Sequence, residues 1–429
     1  MFGFANFLLL ALFAAAVFDL IFALARGGGL RGALHGLWNT PHLLFGQQLA
    51  EWRLQLGRIL FAAGLAAYEI SVVFCNSMAR QNWAWVQGVM SPVLEWLAFL
   101  CFGAKILFGT RYTWRELLAG GALYFIARWV YFNSQNIWWI GIVVAVLAAK
   151  DVPLRRPLQV YFASGCAAMA VVLALHFAGI VAPDLTSERM GALRGTYGYG
   201  HPNTFGGLVF GLVLAYALLR AQKVRWVDCL LVFAVGVFLL VGPASRSAAL
   251  CTLALAVGLV FCRLRAEHSV PRWWPGTCAG MVGLTAAVSY LLPLLVIKVG
   301  PWNNDIGPAW LAKLDSLGTC RISLTWMAYR LLDVKIAGQV FNWPTVDNSF
   351  AFALFQFGPV VAALLGILFA AALLGHAKQG RRVEVCCLFA MLAYAYMEVQ
   401  PFHLTTNPTA LLLCGAVFAQ TSARWQKIE

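Results

Sequence analysis

The chain has 429 residues, of which 61% are hydrophobic and 11% charged, against roughly 45–50% and about 25% in soluble domains. That composition excludes a soluble globular enzyme, because it supplies enough apolar sequence for about a dozen helices of roughly 20 residues each. Lys and Arg number 31 against 17 Asp and Glu, a formal charge of +14, but the basic residues punctuate apolar runs, so they point to an anionic membrane face and not to nucleic acid.

Thirteen apolar runs follow in chain order, at about 2–25, 58–75, 89–108, 117–132, 136–149, 158–181, 204–219, 227–243, 247–262, 276–297, 348–375, 383–399 and 407–420. They predict an all-α polytopic integral membrane bundle of about 12–13 spans. The first run has no basic residue before it and carries Asp19, which reads as a retained helix and not as a cleaved signal. Residues 32–57, with Trp38 and Trp52, read as an interfacial helix. Runs four and five are short and meet in a tight turn at Asn133 to Asn136. The eleven cysteines include no CxxC and lie mainly in apolar stretches, so they read as core thiols. No repeat or soluble domain interrupts residues 1–429, which form a single polytopic domain with one long loop, 298–347.

The loops alternate in charge. One set runs Arg26 to Arg58, Lys105 to Arg115, Lys150 to Arg156, Arg220 to Arg225, Arg263 to Arg272, Lys378 to Arg382 and Arg424 to Lys427, and holds 21 of the 31 basic residues. The positive-inside rule assigns this set and the C-terminus to the cytoplasm, and thirteen spans then put the N-terminus outside. The long loop falls on the outer side.

Four polar segments share that outer side, and each has a bland reading. Arg194 to Gly207 contains His201-Pro202-Asn203-Thr204 ahead of an apolar run. The bland reading is a glycine-rich turn with Asn203 or Thr204 as helix cap; the functional one is an anion site at a helix N-terminus. Arg246, in the short Ser245-Arg246-Ser247 hairpin, either snorkels to head groups or binds an anion. Arg321, in Leu314 to Trp326, is either a solvated loop charge or the start of an amphipathic helix. Asp347, before Asn348-Ser349, is either an N-cap or a base. Two separated arginines with a helix N-terminus suit a pyrophosphate, since guanidinium binds phosphate oxygens bidentately. All four segments are expected to converge on one outer cavity with the long loop as its lid. Mid-span Asp19, Glu69, Arg128 and Glu398 read as paired structural charges.

In order, GYGHPNTFG after a basic residue, the short-hairpin SRS, the loop sequence LDSLGTCRISLTW and DNSFAFALFQFGPV resemble the O-antigen polymerase and ligase superfamily. The HPN and DNS forms are most similar to its undecaprenyl-linked repeat-unit polymerases. The likeness in motif order spans about Arg194 to Val360; before that the chain matches only in being polytopic. It implies a GT-C-like membrane glycosyltransferase of the bacterial inner membrane, acting on the external side. Such an enzyme moves a growing glycan from an undecaprenyl pyrophosphate donor to a lipid-linked acceptor, with no nucleotide sugar, cofactor or metal. By matching positions, Arg246 and Arg321 would hold the pyrophosphate, the segment with Arg194 and Asn203 would line the same cavity, and Asp347 and His201 are the catalytic candidates. Ligases often have His where Asp347 stands, which favours a polymerase; Cys320 before Arg321 departs from the usual small residue. The resemblance implies membrane lipid and a chain-length regulator as further partners. The eight Asp are too dispersed for a DxD, in keeping with a pyrophosphate neutralised by arginine. The competing readings are ligase-type transfer to a different acceptor and, in another class, a lipid-oligosaccharide transporter, for which inverted repeats are expected and none is visible.

Overall fold

The computed structural model describes residues 2–25, 29–45, 51–181, 187–189, 192–265, 270–296, 308–318 and 320–418. The chain begins with α1 (Phe2–Ala25) and α2 (Gly29–Asn39), then a short strand, β1 (His42–Leu43). Next come α3 (Glu51–Cys75), α4 (Ala79–Asn82) and a π turn, Val86–Met90, that runs into α5 (Ser91–Phe108). β2 (Arg111–Tyr112) pairs antiparallel with β1. Thr113 then starts α6 (Trp114–Ser134) through a capping box with Glu116. After a left-handed turn at Gln135 comes α7 (Ile137–Ala148), capped by Asn136.

The second half holds α8 (Arg155–Phe177), a small hairpin of β3 (Ser187–Arg189) and β4 (Ala192–Arg194), α9 (Pro202–Leu219), α10 (Trp226–Val241), α11 (Arg246–Leu264) and α12 (Trp274–Leu291). Short α13 (Ala309–Leu317) and α14 (Arg321–Leu331) precede α15 (Ser349–Phe352), α16 (Pro359–Lys378), α17 (Arg382–Met397) and α18 (Cys414–Val417). Among the described residues eight helical stretches are long and apolar enough to cross a membrane, as in a multi-pass membrane protein. Exposed Phe13, Ile21, Leu230, Val257 and Ile367 are the kind of outward-facing side chains such a bundle presents to lipid.

All thirteen apolar runs contain helical structure, but not all of it is membrane-facing. α7 has 12 residues and every position from Trp139 to Ala148 is buried; at about 1.5 Å per residue it is roughly half the bilayer core in length. It is a core helix. The last apolar run is a broken element, with 3-10 turns at Gln400–Phe402 and Pro408–Leu413 before α18. Its residues Leu404 to Cys414 are all buried, which is where irregular backbone is tolerated at such depth.

Three expectations are corrected. The supposed interfacial helix 32–57 is divided: α2 ends at Asn39, residues 46–50 lie outside the described residues, and Glu51 to Gly57 already belong to α3, where Gly57 packs backbone-close on Gly109 of the α5–β2 connection. The run 348–375 is interrupted by a π turn (Ala353–Phe357) and by Gly358, at φ 86°, before Pro359 opens α16. Cys320 is exposed and is not a core thiol; it lies in a loop at φ 65° between α13 and α14. Within 298–347, residues 298–307 and 319 lie outside the described residues; what remains is largely α13, α14 and an extended return. α13 and the start of α14 enclose a small cluster of Val296, Leu311 and Ile322, while Ala328 and Tyr329 of α14 pack on the main core.

α3 packs on α5 and α8, α8 on α9, α10 and α17 on α11, and α12 on α16. One rim of the bundle, rich in arginine, gathers the β1–β2 pair, Lys105, Lys150, Arg220 and Arg381. The opposite rim gathers the starts of α9 and α11, α14, Asp347 and the end of α17.

Candidate functional site

At the start of α9, His201 is the cap: its Nδ1 accepts from the Asn203 backbone N–H at 3.1 Å, and Pro202 takes the first helical position, where no N–H is needed. The cap is therefore neither Asn203 nor Thr204, and the side chain of Asn203 bonds elsewhere. Its Oδ1 accepts from Arg194 Nη2 at 2.9 Å, and its Nδ2 donates to Glu398 Oε1 at 3.0 Å. Gly206 and Gly207 allow this approach. A Cβ on Gly206 would stand 2.2 Å from Ser245 Oγ, and one on Gly207 would stand 1.9 Å from Gln400 Oε1.

The start of α11 supplies the second wall. Ser247 Oγ donates to Glu398 Oε1 at 2.8 Å, while Ser245 Oγ reaches Asn203 Oδ1 at 3.5 Å. Arg194, buried, also donates to the Ala244 carbonyl at 3.2 Å. Arg246 lies between these serines as the first residue of α11 and is exposed.

The third wall is α14. Cys320 offers no side-chain cap, and Asp315 serves instead: fully buried, its Oδ1 accepts from the Ile322 and Ser323 N–H groups at 2.7 and 3.2 Å. This fixes the first turn and with it Arg321. Arg321 Nη1 donates to the Gly318 carbonyl at 2.9 Å, Nη2 donates to Glu398 Oε1 at 2.6 Å, and Nε stands 3.8 Å from Asp347 Oδ2. Its side chain is 14% exposed, which rules out a solvated loop charge.

Asp347 is not a helix cap. Asn348 caps α15, its Oδ1 accepting from the Phe350 and Ala351 N–H groups at 2.9 and 3.1 Å. The Asp347 side chain is 31% exposed, against 6% for Glu398. Glu398 sits one residue past the end of α17 and accepts from three elements at once. Burial pushes its carboxyl up to about 7, although the Arg321 guanidinium draws it down.

Of the six residues singled out in the sequence, the structure brings Arg194, Asn203, Arg321 and Asp347 into one network. His201 and Arg246 sit on its exposed edge: His201 accepts from the backbone N–H of Asn203, two residues on, and Arg246 stands between Ser245 and Ser247. Two arginines and two carboxylates balance inside, and Arg246 adds a positive charge at the mouth. Glu398 and Ser247 are the members that sequence reading missed as site residues, with Asp315 outside the network as the group that fixes the start of α14. The signals for them were an acid closing an apolar run and a polar residue on each side of Arg246. Of the mid-span charges, Asp19 Oδ2 pairs with His42 Nε2 at 3.3 Å and Arg128 Nε donates to Asn6 Oδ1 at 2.8 Å. Glu398 pairs with Arg321, whereas Glu69 Oε2 is buried with no hydrogen-bond partner among the described residues. Among the described residues no three His, Cys, Asp or Glu side chains group closely enough to hold a metal ion.

No family model, curated protein or solved structure matches the chain.

Proposed function

We propose that the chain is a GT-C-like membrane glycosyltransferase that polymerises lipid-linked oligosaccharide repeat units, with the network at the rim opposite the β1–β2 pair as its active site on the external side. The observation that carries the reading is Arg321. It is nearly buried, held in one orientation by Glu398 and the Gly318 carbonyl, and stands next to the more exposed carboxylate of Asp347. An oriented guanidinium beside an accessible base is what glycosyl transfer from a pyrophosphate requires. The acceptor hydroxyl attacks the anomeric carbon of the donor glycan, and its proton passes to Asp347. The bond from that carbon to the pyrophosphate oxygen breaks, and Arg321 and Arg246 neutralise the leaving undecaprenyl pyrophosphate. His201, with Nδ1 committed to capping α9, carries its proton on Nε2 and is suited to donate, not to act as base.

A neighbouring feature supports a lipid-linked substrate. An apolar cavity of about 70 Å³ lies among Tyr290, Phe350, Leu365, Phe369 and Leu392 and reaches Ser349, two residues from Asp347. Such a cavity suits the first isoprenes of a polyprenyl chain whose pyrophosphate sits at Arg321.

The test is reconstitution of the purified protein with a lipid-linked repeat unit, with product length read on a gel. A ladder is expected. A single block added to a different acceptor means a ligase, and movement of the lipid across the bilayer without any product means a transporter.

A further inference from the structure

The arginine-rich rim carries a second cavity, separate from the network and independent of the activity assigned to it. It opens between the start of α8, the loop after α9 and the start of α17, and its volume is about 140 Å³. The floor is apolar, made largely by Leu158, Leu218 and Leu412. The mouth is charged, with Arg155, Arg220, Lys223 and Arg381 around a single acid, Glu384.

These cations are not equivalent. Arg220 is already neutralised, because its Nε donates to both oxygens of Asp228 at 3.1 and 3.2 Å, and Asp228 is held in turn by Tyr216 Oη and the Arg225 N–H. Arg155, Lys223 and Arg381 have no ion-pair partner among the described residues. Three uncompensated cations therefore face one carboxylate at the mouth of an apolar pocket, on a rim where helices end.

We propose that this cavity binds the phosphate group of an anionic membrane lipid. The cations recognise the phosphate, and the leucine floor takes the first carbons of the lipid, which a soluble phosphate does not have. Basic pockets between helices at the membrane edge recognise lipid phosphates in this way. A free phosphate would satisfy the cations but gain nothing from the floor, so the two sources separate experimentally.

The test uses the full chain purified in detergent, with phosphatidylglycerol, phosphatidylcholine and inorganic phosphate each titrated and bound species counted by native mass spectrometry. Phosphatidylglycerol should bind in preference to phosphatidylcholine, and millimolar inorganic phosphate should not displace it. Each cation removed should weaken binding about fivefold, so the double variant Lys223→Gln/Arg381→Gln should lose roughly 25-fold. Arg272→Gln, on the same rim but outside the cavity, should leave binding unchanged. Glu384→Gln should tighten it, a gain that misfolding cannot produce. Equal binding of the two lipids, an equal loss in Arg272→Gln, no gain in Glu384→Gln, or displacement by inorganic phosphate would each overturn the proposal.

Discussion

Two buried charge clusters sit at opposite rims, and they are built differently. At the arginine-rich rim Lys105 is fully buried, and its ammonium donates to the Gly109 carbonyl, Thr110 Oγ1 and the Lys150 carbonyl at 3.0, 2.5 and 2.8 Å. Two of these partners lie four and five residues away, and two are backbone. At the other rim Glu398 is satisfied by side chains 195, 151 and 77 residues distant, from α9, α11 and α14. Beside it stands Asp347, about a third exposed. A buried charge closed off by two partners in its own turn and one carbonyl of a neighbouring connection ties those turns together. A buried charge held by side chains from several elements, with an open neighbour, orients groups for something that arrives from outside.

Substitutions can break this comparison. The largest effect is expected at Asp347. Since Asn348 supplies the cap, Asp347→Asn should fold normally and still bind lipid-linked substrate, yet polymerise roughly 100- to 10,000-fold more slowly if the carboxylate is the base. A near-normal ladder from this variant would remove Asp347 from the mechanism. Arg321→Lys keeps the charge but loses the planar fork that spans Glu398, the Gly318 carbonyl and Asp347. Polymer should fall by about 100-fold while membrane accumulation, read by blotting, stays at the wild-type level.

Glu398 sharpens the comparison through pH. With its carboxyl raised to about 7, it is ionised above that value and pairs fully with Arg321. Protonation as the pH falls through about 7 weakens the pair, so wild-type turnover should decline on the acid side. Glu398→Gln should be slower by about tenfold and lose that acid limb; an unchanged profile would mean that the limb belongs to another group. The smallest effect on turnover is expected at Lys105. Lys105→Met strands the Gly109 and Lys150 carbonyls and should cost about 1–3 kcal/mol of stability. Its melting point in detergent should fall, while turnover per folded molecule should not change.

The helices and several residues of the network were legible in the sequence, and the reasons are specific. Apolar runs announce helices because backbone polarity inside a bilayer must be satisfied internally. Asn203 and Asp347 stood out as polar residues at the ends of such runs, and Arg194 and Arg321 as cations in the segments that lie between runs on the same side. What stayed hidden depends on long-range placement. Nothing local in Tyr396-Met397-Glu398-Val399 indicates that Glu398 will meet Asn203, Ser247 and Arg321. The caps were misassigned for a related reason: Asn203 and Thr204 follow His201 within three residues and Asp347 precedes Asn348, all residue types that cap helices, and only the backbone geometry chooses between them. α7 has the composition of a span, and only its surroundings reveal a core helix. Asp315 holds α14 from six residues before Arg321, a spacing that no standard capping pattern predicts.

The most direct test sets the two clusters against each other on one gel. Wild type, Arg321→Lys and Lys105→Met are reconstituted at equal folded concentration with the same labelled lipid-linked repeat unit, and product lengths are compared. The account predicts full ladders from wild type and Lys105→Met and about 100-fold less polymer from Arg321→Lys. A full ladder from Arg321→Lys, or none from the wild type, would contradict it.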